Sequence, residues 1–130
     1  MSDAVSIVAA HYAAGSRGDL DGMIADFAPG MTWRSMAPRP QRLTGPDEIV
    51  ANVFGAFAGR YETFGVEVEE LLPAGDEDVV MFGYYAGRSN AGEDFRIRVC
   101  HRWTVRDGSI VAFEQFADSA PMLAAMGEPA

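Results

Sequence analysis

The segment from Phe95 to Val105 alternates strictly between two kinds of side chain, and it constrains the fold more than any other part of the chain. The odd-numbered positions hold Phe95, Ile97, Val99, His101, Trp103 and Val105, and the even-numbered positions hold Arg96, Arg98, Cys100, Arg102 and Thr104. Successive side chains of a β-strand point to opposite faces of a sheet. The pattern therefore predicts a strand with one face against an apolar core and an arginine-rich face towards solvent.

Three more strands are predicted around that one, because the spacing of apolar residues changes from helical to alternating after residue 63. Apolar and acidic residues alternate over 64–69, an apolar run follows over 79–88, and a further strand is expected over 109–117. Turn residues at 75–78 and the Arg-Asp-Gly sequence at 106–108 connect neighbouring strands. We expect an antiparallel meander of four strands.

The first part of the chain has helical spacing instead. A first helix is predicted over 4–14, and a second over 19–27, which the Pro-Gly pair at 29–30 ends. A short strand is expected over 31–36. The segment 37–43 contains two prolines and two arginines and is interpreted as a loop.

A third helix is predicted to begin with Thr44 as its N-cap and an early proline, and to reach Tyr61. A last short helix follows Asp118 as its cap and is stopped by Gly127. Helices collected on one side of a curved, mostly antiparallel sheet make a single α+β domain over residues 1–130. If the sheet curls around the third helix, it forms a cone with an apolar interior pocket. The predicted apolar face of that helix comprises Ile49, Val50, Val53, Phe54, Phe57 and Tyr61.

Composition excludes several classes of function. Ten basic and nineteen acidic residues give a net charge of −9, which argues against nucleic-acid and anionic-membrane partners. All ten basic residues are arginine, which excludes Schiff-base chemistry on lysine. One cysteine, Cys100, and two histidines provide neither a disulfide nor a three-histidine zinc site.

No nucleotide, serine-hydrolase or zinc-protease motif is present, so no cofactor and no metal are expected. The chain also shows neither a signal peptide nor an apolar run of the roughly 20 residues that span a bilayer. We therefore expect a cytoplasmic protein.

His101 is the foremost catalytic candidate, because it lies in the middle of an apolar strand face between Val99 and Trp103. The ordinary pKa of histidine, about 6.5, suits a general acid or base. A core histidine that is bonded to one neighbour has the same pattern, and the sequence leaves both interpretations open.

The strand over 109–117 offers a second polar group for the interior. If Phe113 points inward, Gln115 shares its face and needs a partner such as His101 or a ligand oxygen. If Phe116 points inward instead, Glu114 becomes the carboxylate of the pocket. Alternation alone does not decide between them, since both phenylalanines are large and apolar.

The remaining candidates are mostly aromatic. His11 and Tyr12 are adjacent on the first helix, so at most one is expected to point squarely into the pocket. Tyr84 and Tyr85 alternate sides, so one of the two hydroxyls should enter the interior. The predicted catalytic set is His101, Gln115 and His11, and the predicted substrate-contacting set is Tyr12, Trp33, Phe54, Phe57, Tyr85, Val99, Trp103 and Phe113.

The sequences GDLDG at 18–22, HRWTVRDG at 101–108 and FEQFAD at 113–118 resemble the SnoaL-like branch of the nuclear transport factor 2 superfamily. The resemblance covers essentially the whole chain and implies the NTF2-like cone. It also implies a homodimer, with the arginine-bearing sheet face as the plausible contact. Ketosteroid isomerases, polyketide cyclases, epoxide hydrolases and dehydratases share this fold, so the resemblance informs fold more than function.

The resemblance places His101 where SnoaL-like cyclases have a pocket histidine, and Gln115 where they carry the aspartate that moves the proton. An amide cannot take up a proton in that role. Compared with ketosteroid isomerase, Ser35 falls near the aspartate base, and His11 and His101 fall near the tyrosine and aspartic acid of the oxyanion hole.

We therefore expect a cofactor-independent acid/base enzyme that acts on a small hydrophobic carbonyl compound, as an isomerase, cyclase or lyase. His101 would shuttle the proton, and Gln115 with His11 or Tyr85 would orient the substrate oxygen. The alternative is a non-catalytic ligand-binding or dimerisation module, which the absent carboxylate at position 115 favours. An epoxide-hydrolase-like activity ranks third, because it needs Glu114 or Asp26 in the pocket.

Overall fold

The computed structural model describes residues 3–55 and 59–127, and these form helices packed on one open six-stranded sheet. The helices are α1 (Asp3–Ser16), α2 (Leu20–Ile24), α3 (Pro46–Ile49, continued by the π-helical stretch Val50–Phe54) and α4 (Ser119–Ala125). The strands are β1 (Phe27–Ser35), β2 (Gln41–Thr44), β3 (Tyr61–Ala74), β4 (Asp78–Ser89), β5 (Asp94–Arg106) and β6 (Ser109–Ala117). None of the described helices is long and apolar enough to cross a membrane.

The strand order is β2-β1-β6-β5-β4-β3, so the last four strands form the predicted antiparallel meander. At its other end the sheet is extended by β1, which runs parallel to β6, and by β2, which is antiparallel to β1. Helix α1 packs against β3, β4 and β5. The α+β class is confirmed, with a sheet that is antiparallel except at one pair of strands.

β5 shows the predicted alternation. Its inner side chains from Ile97 to Val105 are buried at every second position, and the arginines between them are exposed. At the end of β5, Asp107 (φ 52°) and Gly108 (φ 79°) both adopt left-handed backbone conformations. Two such residues form the tight turn that suits the twist of a hairpin, so β6 returns directly alongside β5.

Two glycines let β3 approach β4 closely. A Cβ atom at Gly83 would collide with the carbonyl oxygen of Glu67, and one at Gly87 would collide with that of Thr63. The β3–β4 pairing also shifts register after Tyr61 and after Val68. Bulges of this kind bend a strand, and here they lie at the strand that borders the cavity described below.

The structure corrects the predicted start of the sheet. Phe27 does not end a helix but begins β1, which runs through the Pro-Gly pair at 29–30 and includes most of the predicted strand over 31–36. Pairing of Phe27 with Ile110 on β6 outweighs the local helical spacing. The predicted loop over 37–43 likewise ends in a strand, β2, which pairs with β1.

The third helix also differs from its prediction at both ends. The N-cap position is Gly45 (φ 84°) and not Thr44, whose backbone is the last residue of β2. The early proline is confirmed, since Pro46 begins the helix. Tyr61 begins β3 and pairs with Ser89 across to β4, so it is not part of the helix. Phe57 lies outside the described residues.

Candidate functional site

A cavity of about 840 Å³ lies between the helices and the inner face of the sheet. Its volume is in the range of pockets that bind small organic molecules. Nine of the eleven predicted site residues line it: His11, Tyr12, Trp33, Phe54, Tyr85, His101, Trp103, Phe113 and Gln115. Val99 does not; it is buried in the neighbouring core with Tyr85 and Ile97.

His101 lies at the centre of a hydrogen-bond network in this cavity. Its Nδ1 lies 2.6 Å from the hydroxyl oxygen of Tyr12, and its Nε2 lies 2.6 Å from the hydroxyl oxygen of Tyr85. The two tyrosines come from α1 and β4, so the imidazole joins a helix to the sheet. We call Tyr12, His101 and Tyr85 the Tyr–His–Tyr relay.

Each end of the relay is held by a further donor. The indole Nε1–H of Trp103 donates to the hydroxyl of Tyr12 at 2.8 Å, and the amide Nε2–H of Gln115 donates to the hydroxyl of Tyr85 at 3.3 Å. The backbone N–H of Ala37 donates to Oε1 of Gln115 at 3.3 Å. That bond leaves the amide nitrogen, which can only donate, facing Tyr85.

Burial keeps the relay uncharged at neutral pH. Loss of solvation and, to a smaller extent, the nearby imidazole of His11 together lower the pKa of His101 to about 3. Burial also raises the pKa of Tyr12 and that of Tyr85 above the ordinary value of a phenol. An apolar environment disfavours the charged form of each group, so the relay consists of a neutral imidazole and two neutral phenols.

Counting protons shows what the relay offers to a ligand. A neutral imidazole has one donor and one acceptor nitrogen, so one tyrosine donates to His101 and the other accepts from it. The accepting tyrosine also accepts from Trp103 or from Gln115, and its own O–H proton is left for another acceptor. The relay therefore presents one tyrosine O–H donor to the cavity, on Tyr12 or on Tyr85 according to the tautomer of His101.

His11 lies beside the relay on α1 and has a different environment. Its Nδ1 bonds to the carbonyl oxygen of Met23 at 2.8 Å, and its ring stacks on Phe27. Burial lowers its pKa, partly offset by the bond to Met23. Contrary to the expectation from their adjacency, His11 and Tyr12 both line the cavity.

Aromatic rings form much of the remaining wall. The rings of Trp33 and Phe113 are 3.9 Å apart between centroids, those of Trp103 and Phe113 are 4.4 Å apart, and Trp33 meets Phe54 edge-on. Contacts between aromatic rings stabilise the packing in addition to the contribution of the apolar area that they bury. The cavity therefore has a rigid apolar wall with a few polar groups, which suits a mostly apolar ligand with an oxygen atom.

The structure decides between the two candidate residues on β6. Gln115 is buried and faces the cavity, whereas Glu114 lies on the opposite face, 3.8 Å from Arg34 and 3.7 Å from Arg102. Asp26 is exposed and does not line the cavity. Among the described residues no carboxylate lines the cavity, and no group of three His, Cys, Asp or Glu side chains could hold a metal ion.

Several lining residues are not identified by the sequence pattern. Arg39 and Arg60, and the methionines Met122 and Met126, all border the cavity. Arg39 is flanked by Pro38 and Pro40, which indicates a constrained loop but not its position. Ser35, which only the resemblance points to, does line the cavity, and its hydroxyl accepts a hydrogen bond from Trp33 Nε1 at 3.0 Å.

Comparison with known proteins identifies relatives of the whole chain. Residues 8–113 match the SnoaL-like domain family. An NTF2-like protein of Burkholderia thailandensis E264 is 37% identical, with a TM-score of 0.88 over 97% of this chain and 98% of that chain. No curated protein matches the chain.

Two more distant structures share the fold. A candidate SnoaL-like polyketide cyclase of Jannaschia sp. CCS1 has a TM-score of 0.82 at 19% identity, over 98% of this chain and 94% of that chain. TerC, co-crystallised with polyporic acid, has a TM-score of 0.86 at 20% identity, over 98% of this chain and all of that chain (100%). These likenesses confirm the NTF2-like fold that the resemblance implies.

Proposed function

Because the chain belongs to the SnoaL-like domain family, we propose that it is a cofactor-independent acid/base enzyme that acts on a small hydrophobic carbonyl compound. The reaction class is isomerisation, cyclisation or elimination through an enol or enolate. The Tyr–His–Tyr relay carries this proposal, because one imidazole joins two hydroxyls at 2.6 Å each inside the cavity.

The relay suits a carbonyl oxygen that gains negative charge during the reaction. The tyrosine with the spare O–H proton donates to that oxygen, and the bond strengthens as charge develops in an environment of low dielectric constant. If that tyrosine gives its proton to the oxygen, His101 can pass its N–H proton to it and take the proton of the other tyrosine. This exchanges the two tautomers of His101 and leaves the negative charge on the other tyrosine until the proton returns. The imidazole need not become charged, which agrees with the lowering of its pKa to about 3.

Gln115 contributes by position rather than by proton transfer. Its amide donates to Tyr85 and is itself fixed by the backbone of Ala37. Where the resemblance places a proton-moving aspartate, this chain has a group that can only hold the tyrosine. The oxygen-binding half of the site is therefore complete without a carboxylate.

The test is exchange of α-protons in heavy water. Enolisable hydrophobic ketones of increasing ring number are incubated with the protein, and loss of the α-proton signal is followed by proton NMR. Polyporic acid joins the panel as a binding probe, because a protein of this fold has been crystallised with it. We expect exchange above the buffer rate for at least one ketone.

Tyr85→Phe has a matched control in the preceding residue. Tyr84 lies on the outer face of β4, under the guanidinium of Arg96 at 3.5 Å, and does not line the cavity. We expect Tyr85→Phe and Tyr12→Phe to slow exchange by roughly 10²-fold or more, the scale of losing one oxyanion donor, and Tyr84→Phe to leave it unchanged.

The binding module is the alternative outcome of the same experiment. If ketones or polyporic acid raise the melting temperature as a ligand of the folded state must, while no ketone exchanges its α-protons, the protein binds without catalysis. Equal rates for Tyr85→Phe and Tyr84→Phe would remove the relay from the reaction.

A further inference from the structure

The relay accounts for the substrate oxygen but leaves the carbon acid without a base. Both nitrogens of His101 are occupied, at 2.6 Å each, by hydroxyl groups. No carboxylate among the described residues lines the cavity, and the hydroxyl of Ser35, near the base position that the resemblance implies, accepts from Trp33. The base must therefore be sought elsewhere in the cavity.

His11 has its tautomer fixed by a group that cannot donate. A carbonyl oxygen only accepts hydrogen bonds, so the 2.8 Å bond to Met23 requires the proton on Nδ1 of His11. In the neutral imidazole the lone pair is then on Nε2. This is the common arrangement in which one ring nitrogen is held by the protein so that the other is ready to act.

Nε2 of His11 has no hydrogen-bond partner among the described residues. Every buried polar side-chain atom among the described residues has a hydrogen-bond partner, yet the described contacts give His11 a single hydrogen bond, at Nδ1. Nε2 is therefore not completely buried, and His11 lines the cavity. The ring lies 5.3 Å from that of Tyr12, almost at a right angle to it, so a basic nitrogen and a hydroxyl donor lie side by side on α1.

We propose that Nε2 of His11 is the general base that removes the α-proton, while the Tyr–His–Tyr relay serves the substrate oxygen alone; this rests on the proposed function. The C–H bond breaks, its proton forms an N–H bond on Nε2, and its electron pair forms the C=C bond of the enol. The carbonyl π pair moves to oxygen, which takes the proton of Tyr12 or Tyr85, and the relay carries one negative charge, opposite the imidazolium of His11, until that proton returns. Return of the proton from His11 to the same or another carbon restores both groups and gives exchange or isomerisation.

The substrate implied is a ketone or enone whose oxygen and acidic carbon are close enough to contact Tyr12 and His11 together. This assignment differs from what the resemblance implies, which puts His11 beside the substrate oxygen. It also explains why the chain has two pocket histidines with opposite bonding: one saturated at both nitrogens and one at a single nitrogen.

Chemical rescue separates a base from a structural residue. His11→Ala keeps a good helix former in α1 and removes the imidazole. We expect α-proton exchange to fall by 10²- to 10⁴-fold, the usual contribution of a general base. Added imidazole should restore it, and a series of substituted imidazoles should restore it in proportion to their basicity. His11→Gln, which can still donate to Met23, should be equally slow.

Two further measurements need not await the variants. Exchange by the unaltered protein should be flat near neutral pH and fall tenfold per pH unit below the pKa of His11, which burial holds under its usual 6.5. The cavity also holds Tyr12, Tyr85 and His101, which burial keeps neutral in that range, and the guanidinium groups of Arg39 and Arg60. Long-range proton–nitrogen NMR should show the proton of His11 on Nδ1.

The outcomes distinguish this inference from the function on which it rests. Exchange that survives in His11→Ala, or a proton found on Nε2, overturns the inference and leaves the proposed enzyme intact. Failure of every imidazole to rescue a folded His11→Ala protein assigns His11 a structural role. Absence of exchange in the unaltered protein across the panel overturns both.

Discussion

The two faces of β5 carry polar groups of opposite kind. On the inner face, His101 and Trp103 are buried and belong to a network of uncharged groups. On the outer face, four arginines form ion pairs with carboxylates at distances between 2.7 and 3.1 Å, and all four are exposed. The outer pairs are Arg96–Glu67, Arg98–Glu69, Arg102–Asp78 and Arg106–Glu77.

The difference shows how one strand can hold uncharged polar groups in the interior and charged groups in solvent. Charge stays where water solvates it, and each exposed pair contributes little because solvent competes with it. Inside, the groups are neutral because burial disfavours charge, and each hydrogen bond is costly to lose because no water replaces it. A substitution at one inner position should therefore matter more than one at any outer position.

The largest expected effect is that of His101→Leu. The substitution roughly preserves the volume of the side chain but removes the imidazole that is the hydrogen-bond partner of both Tyr12 and Tyr85. A buried polar group left without its partner costs about 1–3 kcal/mol, so we expect the free energy of unfolding in urea to fall by about 3 kcal/mol. An unchanged midpoint and slope would mean that water reaches the relay and that the inner face is not dry.

The alternation of inner and outer side chains on β5 can be predicted from the sequence. A period of two over 95–105 requires no knowledge of the partner strands, and the hairpin turn is set by its own residues. Which of Gln115 and Glu114 faces the interior cannot be predicted from the sequence, because large phenylalanines lie on both faces of β6. It is decided by the bulge in the β5–β6 pairing near Val105, which sets the face of β6.

The relay could not be predicted as a unit. Tyr12 and His101 are 89 residues apart in sequence, and local periodicity carries no information about such pairs. The same limit explains the errors at Phe27 and Tyr61, whose strand partners lie on β6 and β4. The sequence identified most of the lining residues because each belongs to a periodic apolar face, but it could not identify the two tyrosines as the hydrogen-bond partners of His101.

A second effect should appear in the dependence of stability on pH. The unfolded chain binds a proton at His101 near its ordinary pKa of 6.5, whereas in the folded protein burial lowers that pKa to about 3. Between these values the unfolded state holds more protons than the folded state. The free energy of unfolding therefore has its full contribution from His101 above pH 6.5, and it falls with decreasing pH by about 1.4 kcal/mol per unit for this one group.

The measurement is urea unfolding between pH 4 and pH 7 in the unaltered protein and in His101→Asn, which lacks the titrating group. Carboxylates titrate in both proteins, so the difference in slope isolates the imidazole, with His11 adding a part in the same direction in each. Equal slopes would show that His101 is not held neutral. The two faces of β5 would then differ in burial but not in how they treat charge.

The smallest effect is expected for Arg102→Gln on the outer face. Arg102 makes two hydrogen bonds to Asp78, at 2.7 and 3.2 Å, and Asp78 also accepts from the hydroxyl of Thr104 at 2.7 Å. It is the most shielded of the outer pairs, yet exposed pairs contribute below about 1 kcal/mol. We therefore expect a loss of that size in low salt.

A double-mutant cycle with Asp78→Asn separates the pair from its surroundings. The loss of the Thr104 contact affects both members of the cycle that contain Asn and cancels, so the coupling energy reports Arg102 and Asp78 alone. That coupling should shrink as ionic strength rises and the Debye length falls below the separation of neighbouring charges. A coupling that survives in 1 M salt would show that this pair is shielded from solvent like the groups of the inner face. The outer face of β5 would then not be uniformly solvated, and the contrast would separate individual pairs rather than the two faces of the strand.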